Sequence, residues 1–347
     1  MISRKFNQSF AICFLVCVCW AGSAQSQSCL HEPTGNACYK IFGFTLGQTY
    51  IPKGATCFCG AATPLQETDC WVPQCTVHIC LKCLEAGSPI SLANGDTFIE
   101  QQDIRVPGLG TGLTLVRTWS SLLRASLYPG IGSFGQGWRS TYEEWIYADD
   151  DKTIAYVRGD GSIWNFIYSS EQAFTPVSPA NLTAGLFQGP TTWTLNFQNG
   201  EQRIFDATSG RLLSIADRNG NTTQLTYDAS FRLITVTDPA SRHLYFTYAN
   251  STSFLVTSVT SDVGISLSYS YDTQSRLIQY TKPDNTTVSF QYNSLNPNVI
   301  TAVLDQNGKV LESHTYDGSG RGLTSSRAGG VEAVTITYPF EGGVLLP

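Results

Sequence analysis

The stretch Tyr227-Asp228-Ala229-Ser230-Phe231-Arg232-Leu233 returns as Tyr271-Asp272-Thr273-Gln274-Ser275-Arg276-Leu277, and again as Tyr316-Asp317 followed by Arg321 and Leu323. Looser copies stand around and between these: Phe205-Asp206 ahead of Arg211-Leu212, Tyr248-Ala249 ahead of Phe254-Leu255, and Tyr292-Asn293. The second residues of the pairs fall at 206, 228, 249, 272, 293 and 317, in steps of 22, 21, 23, 21 and 24. A unit of this length cannot bury a face alone, so neighbouring copies must lend one another a core. Each copy reads as two short strands joined by a polar turn, such as 217–221, 238–241 or 282–285. The Tyr ends a strand with its ring on the buried face, and the Asp caps the turn through its side-chain oxygen. The Leu restarts the next strand inward, and the Arg lies along its neighbour. The recurring aromatics are read as core and ladder; a sugar-binding stripe is the competing reading.

Outward from the repeat the texture persists. From residue 87 onward cysteine vanishes, and short alternating runs such as 114–118, 154–158, 163–167 and 192–197 take the place of any clean 3.6-residue period. Asp160-Gly161, Asn199-Gly200, Asn219-Gly220 and Asn307-Gly308 separate runs of this kind, and they predict hairpins closed by type I′ turns. The fold expected is all-β: antiparallel hairpins in a meander. Across its 347 residues the chain has 14% charged and 42% hydrophobic residues, which excludes charge-driven disorder. The net charge of −6 becomes −8 once Arg4 and Lys5 are set aside with the leader described next; no basic footprint for nucleic acid remains.

Residues 1–24 read as a secretory signal, with Arg4 and Lys5, an apolar run over 10–20 and small residues up to Ala24. The run is short of the ~20 residues a membrane span needs, and no later segment is apolar enough. Three cysteines fall within this leader. The other eight (Cys29, Cys38, Cys57, Cys59, Cys70, Cys75, Cys80 and Cys83) crowd into 25–86 and read as a small disulfide-stapled module of open connectivity. Zinc held by Cys80 and Cys83 with Cys57, Cys59 or His78 is the alternative. A β-rich domain over 87–200 and the repeats over 201–347 complete the expected organisation.

No catalytic constellation is read. His31, His78, His243 and His314 lack spaced partners, and the segment 133–137 is not a nucleophile elbow. Glu143 and Glu144 are adjacent, so a strand would turn them to opposite faces. Asp149-Asp150-Asp151 is read as a solvated hairpin tip. No catalytic residue, cofactor or metal is expected; a hydrolase assembled from distant carboxylates is the weakest alternative.

The repeat resembles the YD repeat of bacterial RHS proteins, Tyr-Asp-x-x-Gly-Arg-Leu, over residues 205–323. Only the Asp206 copy is read as keeping the glycine of that pattern, as Gly210; it stands as Ser230 or Phe231 in one copy and as Ser275 in another. Ahead of it, Gly87-Ser88-Pro89, Asn94-Gly95-Asp96-Thr97, Arg117-Thr118-Trp119-Ser120-Ser121 and Gly135-Gln136-Gly137-Trp138 are similar to the domain of unknown function that precedes RHS repeats. The resemblance implies a strip of strands that spirals into a shell, in relatives such as insecticidal toxin-complex components, polymorphic toxins and teneurins. About thirty residues follow Asp317, without the family's self-cleaving aspartate segment or a toxin domain, so a short or truncated member is expected. The function expected is a non-enzymatic, exported shell or surface-interaction module linked to toxin delivery or cell-to-cell contact. Its partner would be a toxin domain or a continuing RHS chain; the alternative is a carbohydrate-binding module with glycans as partners.

Overall fold

The computed structural model describes residues 36–41, 44–50, 85–86, 89–92, 94–123, 131–148, 152–170, 172–178 and 182–338. The leader and seven of the eight clustered cysteines lie outside them, and so does the side chain of Cys38 in the antiparallel hairpin Asn36–Ile41 with Phe44–Tyr50. The fold is all-β, as expected. Among the described residues the one helical segment is a single 3-10 turn, Ala328–Gly330. β-branched and aromatic residues alternate with polar ones throughout, a pattern that presents one apolar face per strand.

Two compact units divide the chain. In the first, the strands Trp145–Ala148, Thr153–Val157, Ile163–Ser170, Ala173–Ser178, Ala184–Gln188, Thr192–Phe197 and Gln202–Asp206 pair in chain order, each antiparallel to the next. Its core holds Tyr156, Phe166, Leu186, Leu195 and Phe205. Edge-to-face contacts link Tyr156 with Phe205 at 5.7 Å and Phe174 with Trp193 at 5.3 Å.

The second unit combines Leu81–Glu144 with Leu213–Pro347 and the short Gly159–Gly161. Its leading part is a three-stranded sheet, Phe98–Val106, Leu113–Ser120 and Trp138–Ser140. Its repeat part is a meander from Thr222–Tyr227 through Leu233–Thr237, His243–Tyr248, Val256–Ser261, Ser266–Tyr271, Leu277–Thr281, Thr287–Tyr292, Ile300–Asp305, Val310–Tyr316 and Gly322–Arg327 to Val331–Thr335. Facing positions across this strip are buried in register: Leu225 opposite Val236, Phe246 opposite Val259, Tyr269 opposite Tyr280, Phe290 opposite Val303. The repeat therefore builds a core by stacking.

The turns differ from the type I′ expectation. In Asp160-Gly161, Asn199-Gly200, Asn219-Gly220 and Asn307-Gly308 the glycine alone has positive φ, between 77° and 86°, whereas a type I′ turn needs it at both central residues. The chain instead closes a longer loop in which the amide of residue i donates to the carbonyl of i+4 and that of i+3 to the carbonyl of i, as in Asp217–Asn221 and Asp305–Lys309. One left-handed residue at i+3 completes it. The same loop closes the repeat motif, where Phe231, Ser275 and Gly320 hold that position at φ 61°, 61° and 87°. So the family glycine is also kept in the Asp317 copy, as Gly320, and its counterpart in the first copy is Phe231 rather than Ser230. The Asp206 loop, with Asp206 N donating to Arg211 O, is one residue longer.

Candidate functional site

Every repeat tyrosine sits on a break in strand pairing. The register shifts just before Tyr227, Tyr248, Tyr271, Tyr292 and Tyr316, which then pair with Leu233, Val256, Leu277, Ile300 and Gly322. A bulge of this kind interrupts the ladder of main-chain hydrogen bonds. The next tyrosine along answers it. Tyr248 Oη donates to Leu233 O at 2.9 Å, Tyr271 to Val256 at 2.7 Å, Tyr292 to Leu277 at 2.8 Å, Tyr316 to Ile300 at 2.6 Å, and Tyr338 to Gly322 at 2.7 Å. Each phenol thus takes the carbonyl of the residue paired with the preceding tyrosine. Burial pushes these phenols above their ordinary value, Tyr338 up to about 12, so they stay protonated and donate.

The Asp and Arg of the motif close its turn. Asp228 Oδ1 accepts the amides of Ser230 and Arg232, both at 2.9 Å, and Asp272 and Asp317 repeat the arrangement. These bonds to backbone and arginine hold the carboxyls of Asp228 and Asp272 below the usual carboxylate range, against the opposing effect of burial on Asp272. The arginine then reaches the following copy. Arg232, Arg276 and Arg321 lie over the rings of Tyr248, Tyr292 and Tyr338 at 4.7, 4.7 and 4.1 Å. Arg232 Nη1 also donates to the carbonyls of Asn250 and Ser253, and Arg276 Nη1 to that of Pro297.

The leading sheet is fastened to this strip by Arg117. Its side chain is fully buried and forms a two-point ion pair with Asp103, with Nη2 at 2.9 Å from Oδ1. Four rings enclose the guanidinium: Phe134 and Trp138 from the leading part at 5.6 and 4.8 Å, Tyr269 and Tyr280 from the strip at 4.9 and 4.6 Å. Tyr269 Oη donates to Asp103 Oδ2 at 2.7 Å and Tyr280 Oη to Gln101 Oε1 at 2.8 Å. Burial would lower the Arg117 value; the Asp103 charge outweighs it and holds the guanidinium more firmly protonated than usual. Beside it, Tyr269, Tyr280 and Phe290 stack at 6.4 and 6.2 Å. At the strip's margin Gln136 N donates to Ser275 O at 3.1 Å and Val256 N to Ser133 O at 2.8 Å. A Cβ at Gly135 would stand 2.7 Å from Ser275 O, so only glycine fits there.

Family models match both the leading part and the repeats. A family model for a domain of unknown function, DUF6531, matches residues 87–166, the RHS Repeat model matches 206–243, and the Teneurin YD-shell model matches 240–330. The chain is an RHS/YD-repeat protein. It is similar to the tRNA nuclease WapA of Bacillus subtilis strain 168, 28% identical over 136 residues, which are 39% of this chain and 6% of that protein. The tRNA3(Ser)-specific nuclease WapA of Bacillus spizizenii matches at the same identity and coverage. Among solved structures it is similar to TcdB2-TccC3-Cdc42, at a TM-score of 0.30 and 14% identity over 64% of this chain and 14% of that one. A Photorhabdus luminescens Tc holotoxin pore gives 0.28 and 14%, over 66% and 14%. This RHS chain thus spans a small fraction of the proteins it matches.

Of the motif residues named from sequence, Asp228, Arg232, Asp272, Arg276, Asp317 and Arg321 close turns, and Tyr271 and Tyr316 are rungs. Tyr227 and Leu233 begin the ladder, Leu277 supplies a rung's acceptor, and Phe205 is a core residue of the first unit. Asp206 caps its own loop through Ser209 N at 2.6 Å, and Arg211 bridges to Trp145. Sequence reasoning missed Tyr338, which continues the spacing 22 residues after Tyr316, and Asp103, whose strand carries no motif. It also missed Tyr269 and Tyr280, which read as ordinary alternating strand residues. Glu143 and Glu144 precede the strand Trp145–Ala148, and Glu143 accepts Ser133 N at 2.6 Å. His243 pairs with Asp262 at 2.8 Å near the surface, and His314 is buried. Among the described residues no three His, Cys, Asp or Glu side chains gather as a metal site.

Proposed function

We propose that this RHS protein is an exported, non-enzymatic shell segment whose strip encloses or presents a partner chain in toxin delivery or cell-to-cell contact. The observation that carries the reading is where the chemically capable side chains are used: the tyrosines hold bulged carbonyls, the Asp–Arg pairs close turns, and Arg117 fastens one sheet to the other. The curated relatives are named as tRNA nucleases. A nuclease used as a toxin needs a carrier, and a toxin domain on a continuing RHS chain is the partner this scaffold suits. With the proposal go the leader at 1–24, the disulfide-stapled head at 25–86, the β-rich domain at 87–200 and the repeats at 201–347. Among the described residues no helix is long and apolar enough to cross a membrane.

The test is mild cross-linking of the exported full chain in its native host, followed by mass spectrometry. A cross-linked polypeptide with further YD repeats or a toxin domain is the expected result. Exposed Tyr245, stacked on His243 at 5.6 Å, favours a second reading as a glycan-binding module. A chain recovered without a polypeptide partner, and retained on a glycan array until Tyr245→Ala is made, would replace the first reading with this one.

A further inference from the structure

Two positions ahead of each motif tyrosine the strip buries a side chain opposite a buried partner on the next strand: Leu225 with Val236, Phe246 with Val259, Tyr269 with Tyr280, Phe290 with Val303. The pair before Tyr316 breaks this series. It is His314 opposite Ser325, both buried. Four positions ahead of the tyrosine, where Leu267 and Val288 are buried in earlier copies, stands Glu312. Strand alternation turns Glu312 and His314 to the same face of Val310–Tyr316. The His314 side chain keeps 0% of its exposure and that of Glu312 keeps 21%, so the carboxylate reaches from the rim of the strand to the ring. Among the described residues neither ring nitrogen of His314 has a hydrogen-bond partner, and the buried Glu312 Oε2 has none either. Polar atoms left so in a core cost free energy, and Phe290 in the preceding copy fills the same place without that cost.

The geometry points to a binding site for a divalent transition-metal cation of the zinc class between His314 Nε2 and Glu312 Oε2. These atoms stand 3.7 Å apart. That is beyond the ~2.7–3.2 Å of a hydrogen bond, so the two groups do not satisfy each other directly. Two donors on one zinc, each about 2.0–2.2 Å from it, are separated by roughly 3.3–3.5 Å at the tetrahedral angle, which the pair reaches by closing a few tenths of an ångström. Imidazole with carboxylate is also a donor set that suits zinc. Two side chains leave the remaining positions to water or to a donor from another chain, so the ion is held reversibly rather than in a closed structural centre. Bound there, it gives partners to two atoms of the core that have none, and it steadies this copy of the strip. The site does not depend on the shell reading.

The test is hydrogen exchange of the full chain with zinc chloride alone, and again after EDTA. Where exchange in the strand Val310–Tyr316 requires the site to open, zinc should slow it about tenfold once free zinc is ten times its dissociation constant, and EDTA should reverse the effect. His314→Phe, which places here the residue type of Phe290, and Glu312→Gln should each abolish the response. Exchange in this strand that is unchanged up to millimolar zinc, a response that persists in either variant, or zinc taken up by the cysteines of 25–86 alone overturns the proposal. Should His314→Phe not fold, Glu312→Gln, whose side chain reaches the rim, decides the comparison by itself.

Discussion

Arg276–Asp272 at the edge of the strip and Arg117–Asp103 beneath it are the same pair of charges in two settings. At the edge, with nitrogen and oxygen 2.6 Å apart, the two side chains keep 19% and 21% of their exposure; beneath the strip both keep 0%. Each guanidinium also lies over aromatic rings, one ring at the edge and four at the anchor. What separates them is what remains when one partner goes. Water can take over at the edge, whereas nothing can solvate Asp103. The repeated motif therefore sets the period of the fold, while a residue outside it carries the larger energetic burden.

Removing the anchor cation should have the largest effect. Arg117→Met leaves Asp103 and two phenols facing an apolar side chain, and is expected to cost about 3–5 kcal/mol in urea unfolding, the range for a buried pair broken on one side. Replacing both charges, Arg117→Met with Asp103→Leu, should recover much of that loss, because a buried pair and a well-packed apolar pair are often close in energy. A single-variant loss as small as that at the edge would erase the contrast.

At the edge, Arg276→Ala removes the contact with Tyr292 and the 2.9 Å bond to Pro297 O. The expected cost is about 1 kcal/mol, typical of an exposed cation–π contact plus one net hydrogen bond. It should be local: the 293–299 loop, closed by Asn293 N on Val299 O at 2.9 Å, should exchange faster at Asn293 while the anchor amides do not change. Loss of protection throughout the second unit would mean that edge and anchor are coupled.

The edge was legible in the sequence and the anchor was not. A turn that needs a capping carboxylate, a left-handed residue and a returning strand within five positions must be written locally, so Tyr271, Asp272 and Arg276 could be found by spacing alone. The strip's fold class followed from the same period. The anchor joins Asp103, Arg117 and Tyr269, contacts separated by 14 and 166 positions, and no local pattern records such distances. Arg117 stood inside a motif that resemblance could name, yet its burial came only from the sheet that covers it. The turn type was misread for a related reason: an Asn-Gly pair shows that positive φ is needed, while the length of the loop decides how many residues adopt it.

Position 275 offers the finest test of the edge. Ser275 holds φ 61° where the Asp317 copy has Gly320 at 87°, and its carbonyl receives Gln136 N. Ser275→Gly removes the cost of a side chain in the left-handed region but gives the unfolded chain more freedom, and the two effects are of similar size, each up to about 1 kcal/mol. A net gain of a few tenths of a kcal/mol is expected. Ser275→Val, which puts a branched Cβ into the same backbone, should instead lose roughly 1–2 kcal/mol. Measured by the same unfolding assay, the order glycine, serine, valine would show that the turn's conformation, rather than the identity of its side chain, sets the edge; a valine variant as stable as serine would break that ordering.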